Sequence, residues 1–301
     1  MKEYRRIQKT GESTYIISLP KKWADANNIE RGTEASMQVN EDGSLTLTVK
    51  KEKKDSTAVI HSNNNIERTL QKVIAAYLAG HQKIIIRGTN AAIICEEART
   101  KLSGIEVLEE TEDQGILGVL SHDNKFTIDE ILVRMHSVSL TLFTLFIRSL
   151  NGEKDLQKEA ARREQEIDRL YILGLRVINT RPTKLAVGVC KALAIKTMER
   201  ISDHIEQPYA IAAYPTKDKQ LLELVNELKE LYVEVFNNLV NLSNSDSTLT
   251  RIDNYRNKIQ EINKKSPDKK FIVERLMRID EYLIDIIEIT EDLIAIRNAN
   301  I

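Results

Sequence analysis

Cysteine, proline and aromatic residues are all scarce in this 301-residue chain, which has two cysteines, five prolines and 5% aromatics. Cys95 and Cys190 lie far apart in apolar surroundings, so neither a disulfide framework nor a zinc spacing follows, and a reducing compartment is expected. No signal-peptide pattern opens the sequence. The longest apolar run, Val138 to Ile147, is about half a membrane span and ends at Arg148. A cytoplasmic protein without membrane insertion is the expectation. Glycine-rich phosphate loops and dinucleotide fingerprints are missing, and no Ser-His-Asp or Cys-His pattern stands in a recognisable context. Paired carboxylates on one helix do not by themselves make a general acid and base, so no enzymatic activity is expected.

What is present is charge and helix-forming residues. Charged residues make up 30% and the formal net charge is −1. The charge is unevenly placed: residues 1–54 carry eleven Lys+Arg against eight Asp+Glu, or +3, leaving 33 against 37, or −4, for the rest. A nucleic-acid partner, if the chain has one, belongs at the amino-terminal end.

Three compositional territories follow, read as domains 1–54, 55–125 and 126–301. The first reads as short strands. Tyr15 to Leu19, Ala35 to Val39 and Leu45 to Val49 alternate apolar and polar residues, with a turn at Asp42-Gly43 and a short helix from Lys21 to Asn28. Strands this few and short cannot bury a core alone, so an intertwined homodimer is expected. The second territory is a small α/β module. Helices are expected over Ile66–Ala79 and Ala91–Leu102, with strands at Lys83–Ile86, Ile105–Glu109 and Ile116–Leu120.

The third territory is helical throughout. Thr127-Ile128-Asp129-Glu130 fits a capping box and starts a helix at about Ile128. Breaks at Asn151-Gly152, Thr180-Arg181-Pro182, Pro208 to Pro215, Asn244 to Thr248 and Ser266-Pro267 leave six helices. They group three and three around the Pro208–Pro215 link, giving two antiparallel three-helix bundles at about 128–210 and 214–301.

Acidic residues in this region recur at four-residue spacing: Glu164 and Asp168, Glu199 and Asp203, Glu281 and Asp285, Glu288 and Asp292. Each pair projects from one helix face about 6 Å apart, where like charges repel unless something neutralises them. A hard cation would do so through oxygen ligands. In the last helix the four acids fall within about 40° of one direction, opposite Ile279, Leu283, Ile286, Ile287 and Ile294, which is also the pattern of a solvated face. Glu164 and Asp168 instead continue the apolar stripe of Leu156, Ala160, Tyr171, Leu175 and Ile178. Their partner is either a metal or Arg176 and Arg200. His204, beside Asp203, extends that candidate site, whereas His136 reads as a core or boundary histidine. His61, His81 and His122 read as loop or element-end residues.

Two resemblances carry function. Tyr4 to Lys51, with RRIQKTGESTYIISLPKKW, IERGTEASMQV and DGSLTLTV, resembles the AbrB/SpoVT-type swapped-hairpin DNA-binding domain. That resemblance implies a dimeric β-barrel presenting Arg5, Arg6, Lys9, Lys21 and Lys22 to DNA, with Thr10 and Ser13 adding neutral phosphate contacts. Lys21 and Lys22 oppose the dipole of the helix they begin, a cost that a polyanion offsets, and Trp23 is expected to pack as core.

Residues 128–301 resemble PhoU, the phosphate-uptake regulator built of two three-helix bundles, through ERISDH at 199–204 and EQEIDRL at 164–170. That resemblance implies metal clusters held by Glu164, Asp168, Glu199 and Asp203, with Glu281 and Asp285 in the corresponding place of the second bundle. The ions implied are divalent or trivalent, among iron, zinc, magnesium, manganese and calcium. The full order resembles archaeal phosphate uptake regulators. It implies a mainly α multidomain transcriptional regulator with DNA, a second copy, and a phosphate ABC transporter or sensor as partners. An adaptor that binds only the transporter or sensor is the alternative.

Overall fold

The computed structural model describes residues 3–39, 43–49, 56–120, 126–181, 183–206, 218–265 and 269–299. Asp42, His122, Pro182, the Pro208–Pro215 link and the Ser266-Pro267 pair lie outside the described residues. The chain divides into two compact units, residues 1–55 and 56–301.

The first unit is built from two separate hairpins. β1 (Gln8–Thr10) pairs with β2 (Thr14–Ile16) around Gly11, whose φ of +69° suits glycine in so tight a turn. β3 (Ala35–Val39) pairs with β4 (Leu45–Val49), Met37 opposite Leu47. Between them, Pro20 sets the entry to α1 (Lys21–Ala26). Within one chain the hairpins share no ladder, so the expected barrel is not closed there. The strand expected over Tyr15–Leu19 stops pairing at Ile16, because β1 offers nothing beyond Gln8, and Ile17, Ser18 and Leu19 run on past it. No described residue of this unit is buried, and Trp23 is only half-buried rather than core.

The second unit begins with an α/β layer: β5 (Thr57–His61), α2 (Ile66–Leu78), β6 (Lys83–Arg87), α3 (Ala91–Lys101), β7 (Ile105–Glu110) and β8 (Gln114–Val119). The sheet order is β5-β6-β8-β7, with β5 parallel to β6 and the other two pairs antiparallel. Val73, Tyr77, Ile84, Ile86, Ile94, Cys95, Ala98 and Leu117 form its fully buried core under α2 and α3.

Six long helices follow: α4 (Ile128–Leu150), α5 (Gln157–Thr180), α6 (Leu185–Glu206), α7 (Lys219–Asn241), α8 (Asp246–Lys265) and α9 (Lys270–Asn298). Thr127 and Glu130 close a reciprocal capping box at the start of α4. α4, α5 and α6 pack on one another, as do α7, α8 and α9. α6 lies against α9 and α4 against α7, so both sets share one hydrophobic core. α4 is long and apolar enough to cross a membrane, but Ile131, Leu132, Met135, Val138, Leu142 and Phe143 spend its apolar stripe inside that core.

α5 carries the join between the layer and the helices. Arg176 is fully buried and donates to the carbonyls of Tyr77, His81 and Gly80 at the carboxyl end of α2. Its guanidinium carbon sits 4.5 Å from the centre of the Tyr77 ring, and Asn179 reaches the Leu78 carbonyl at 3.1 Å. A cation on the negative end of a helix satisfies carbonyls that have no intrahelical donor. The approach is close: a Cβ on Gly80 would lie 2.8 Å from Thr180 Cγ2. On α5's opposite flank, Gly174 lets α6 approach, since a Cβ there would lie 2.9 Å from Ile195 Cδ1. Arg176→Met removes the charged donor from the Tyr77, Gly80 and His81 carbonyls, of which that of Tyr77 keeps the Gly80 amide, and is expected to cost about 1–3 kcal/mol in urea unfolding, with amide exchange in α2 accelerated before that in α9. Unchanged stability and exchange would contradict the join.

Candidate metal centre and nucleic-acid interface

The contact of α5 with α6 brings Glu164, Asp168 and Asp203 together. Each is half-buried, and one carboxylate oxygen from each lies within 4.8 Å of the other two. Glu164 and Asp168 share a face of α5 through their four-residue spacing, beside the buried Ala160 and Ile167. Asp203 projects from α6 next to buried Ser202 and Ile205.

Three carboxyls so placed cannot all be ionised without compensation. Burial, the Asp168 charge and a hydrogen bond to Asp168 push the Glu164 carboxyl up to about 8. Burial and the charges of Glu199 and Asp168 push Asp203 up to about 6. Glu206, a fourth acid at the end of α6, is raised by burial and by Asp168. Glu164 therefore keeps its proton near neutrality, and a cation at the cluster would displace it. An all-oxygen donor set of this kind fits a hard ion such as magnesium, manganese or calcium, and also iron.

The nearby side-chain cations are engaged elsewhere. Arg176 serves α2, and Arg200 is exposed and hydrogen-bonds Tyr282, reaching Asp203 only through space. Neither is the direct partner of Glu164 and Asp168 that the sequence left open. Lys196 donates to both oxygens of Glu199, at 2.7 and 2.6 Å, and Arg163 pairs with Glu166 at 3.2 Å. Glu199 thus stands beside the cluster, held by its own lysine.

His204 turns to α9, where it stacks 5.6 Å from Tyr282. Burial, with the charges of Arg275, Arg278 and Arg200, holds its imidazole below the usual range, so it adds nothing to the acidic group. His136 stacks 3.9 Å from Phe236 in the core, pushed down to about 4 by burial. Glu281, Asp285, Glu288 and Asp292 all lie exposed on α9 and join no metal-sized cluster among the described residues; Glu281 pairs with Arg278 at 2.5 Å.

Glu206 escaped the four-residue rule because it stands three after Asp203. That i, i+3 spacing on one helix face was the available signal.

At the other end of the chain, Arg5, Arg6, Lys9, Thr10, Ser13, Lys21 and Lys22 are all exposed. Lys9 and Thr10 lie on β1, Ser13 in its turn, and Lys21 and Lys22 in the first turn of α1. Arg5 is bound to Glu3 at 2.6 Å, a surface pair that an anion can displace at little cost.

Residues 8–56 match the family of antidote-toxin recognition proteins called MazE, bacterial antitoxin. No curated protein and no solved structure matches the chain. The MazE-type segment takes in β1, β2, α1, β3 and β4, and Lys9, Thr10, Ser13, Lys21 and Lys22 with them.

The acidic cluster makes stability depend on pH in a defined direction. With folded-state values raised above 4.5 and 3.8, the native protein holds protons that the unfolded chain has already released. Stability of the metal-free protein is therefore expected to fall as pH rises from about 5 to 8. Glu164→Gln flattens that slope, and added Mn²⁺ raises Tm more at pH 8 than at pH 6, because ions and protons compete. Thermal melts across this range check it; a slope unaffected by Glu164→Gln would contradict it.

Proposed function

We propose that this protein is a cytoplasmic, dimeric, non-enzymatic transcriptional regulator whose amino-terminal unit binds DNA and whose helical region carries a metal-dependent sensory site. The observation that carries this reading is a small unit with a MazE-type match and no core of its own. Tyr15, Ile17, Leu19, Met37, Val39 and Leu45 are each 40% or more exposed in one chain. Apolar surface of this extent in so small a unit calls for a second copy to cover it. Pairing two copies also doubles the set of basic residues and gives it two-fold symmetry, which suits a pseudo-palindromic duplex.

The finer assignment, regulation of phosphate uptake, rests on the PhoU resemblance of residues 128–301. On this reading the α5–α6 cluster binds a metal ion, and occupancy alters the geometry of the dimer. The adaptor alternative keeps the metal site and partner binding but assigns the amino-terminal unit to dimerisation only. The exposed basic residues on β1 and α1 favour the regulator.

A gel shift against the promoter of a phosphate transporter tests both. The intact protein is expected to bind with strong salt dependence. Replacing Arg5, Arg6, Lys21 and Lys22 by Gln should lower the log–log salt slope by roughly 3 to 4 per protomer if each meets a phosphate. Failure of the intact protein to bind at low salt overturns DNA recognition. Binding equal across unrelated duplexes overturns the phosphate assignment alone.

A further inference from the structure

The sheet of the α/β layer has two unlike faces. Ile60, Ile84, Ile86, Leu117 and Val119 belong to the core beneath α2 and α3. Pleating sends the alternate residues to the other face. There the register sets Val59 beside Ile85 and Ile85 beside Ile116. An irregularity between Val107 and Glu109 brings Leu108 to the end of this row, close to Gly118: a Cβ built there would lie 2.6 Å from Leu108 Cδ1. The row crosses all four strands. Val59 and Leu108, at the two ends of the row, are 49% and 55% exposed, while Ile85 between them is half-buried and Ile116 is 8% exposed; none of the four takes part in the core on the helix side.

Charge on this face is polarised across the strands. Lys83 and Arg87 lie on β6, while Glu106 and Glu109 lie on β7.

We propose that this face packs against the same face of a second copy of the chain, about a two-fold axis parallel to the strands. Such an axis preserves strand direction and reverses strand order. β5 then lies over the partner's β7, and β6 over the partner's β8. Val59 faces the partner's Leu108, Ile85 faces the partner's Ile116, and Lys83 and Arg87 of each copy lie one strand from the acidic β7 edge of the other. An axis across the strands would instead stack β6 on β6 and bring Lys83 against the partner's Arg87. Charge selects the first arrangement.

Size fixes when the faces pair. Four strands about 4.8 Å apart, each of five residues at about 3.3 Å, span roughly 300 Å². A stable interface needs about 800 Å² per partner, so the faces do not hold two free chains together. β5 starts at Thr57, directly after the MazE-type segment, and dimerisation of that segment supplies the effective concentration. In this respect the inference rests on the proposed amino-terminal dimer.

The test is cross-linking of the full chain carrying Val59→Cys and Leu108→Cys with a bis-maleimide that spans about 8 Å. Facing sheets lie about 10 Å apart, with the two side chains pointing into the gap, within its reach. Inside one chain the two positions stand three strand spacings, roughly 14 Å, apart and out of reach. Cys95 and Cys190 are buried, and the unsubstituted protein measures their background. The double variant is expected to give at least fivefold more covalent dimer than either single variant. Light scattering on the same samples reports the amino-terminal dimer separately. A dimer by light scattering with no cross-link above background overturns the sheet pairing, leaves the amino-terminal dimer standing and assigns the face to another occupant. Equal cross-linking of the Val59→Cys single variant overturns the axis. A monomer by light scattering overturns both readings.

Discussion

The guanidinium of Arg176 against the carbonyl end of α2 is the contact on which the second unit depends. It buries a cation among several carbonyls and the face of the Tyr77 ring, which offset the loss of water around the charge. It also fixes α5 along its axis. Asp168 and Glu164 lie two and three turns upstream of Arg176 on the same helix, so anchoring one end places the other against α6. Gly174, between the anchor and the acids, sets the α5–α6 distance. The α/β layer and the acidic cluster are two consequences of one docked helix.

Much of this was legible in the sequence where the signal is local. The Thr127–Glu130 capping box marks the start of α4, and the six-helix periodicity survives in the structure because each stripe is satisfied by neighbours in one core. Four-residue spacing singles out Glu164, Asp168 and Asp203 without saying which acids meet across helices. Spacing on one helix says nothing about the neighbour, and so Glu199, with Lys196 one turn away, looks the same in sequence as Asp203. The exposed acids of α9 look the same again, and only burial separates them. β5 was missed: five residues pair in parallel with β6, twenty-six residues later in register, and no hairpin turn announces such a partner. Sequence leaves Arg176 open as a partner for Glu164 and Asp168, because the carbonyl end of α2 that it meets carries no signature there.

The two units leave different surfaces unfinished. In the amino-terminal unit no described apolar side chain is buried and many are exposed, and completion by a second copy is the physical requirement behind the proposed function. In the second unit a large core is finished, and Val59 and Leu108 on one sheet face are among the apolar side chains that stay exposed. Both surfaces suit a symmetric pair, which would join two MazE-type segments and two helical regions, each with a cluster of carboxyls that could hold a cation. Burial separates this cluster from the exposed acids of α9 as the place where a cation could sit.

Elemental analysis of purified protein after dialysis against Mn²⁺ and gel filtration separates the two sets of acids. About one tightly held ion per chain is expected, lost in Asp168→Asn and in Asp203→Asn and kept in the quadruple variant Glu281→Gln, Asp285→Asn, Glu288→Gln, Asp292→Asn. An ion that survives Asp168→Asn and Asp203→Asn, or one that is lost with the α9 acids, would contradict it.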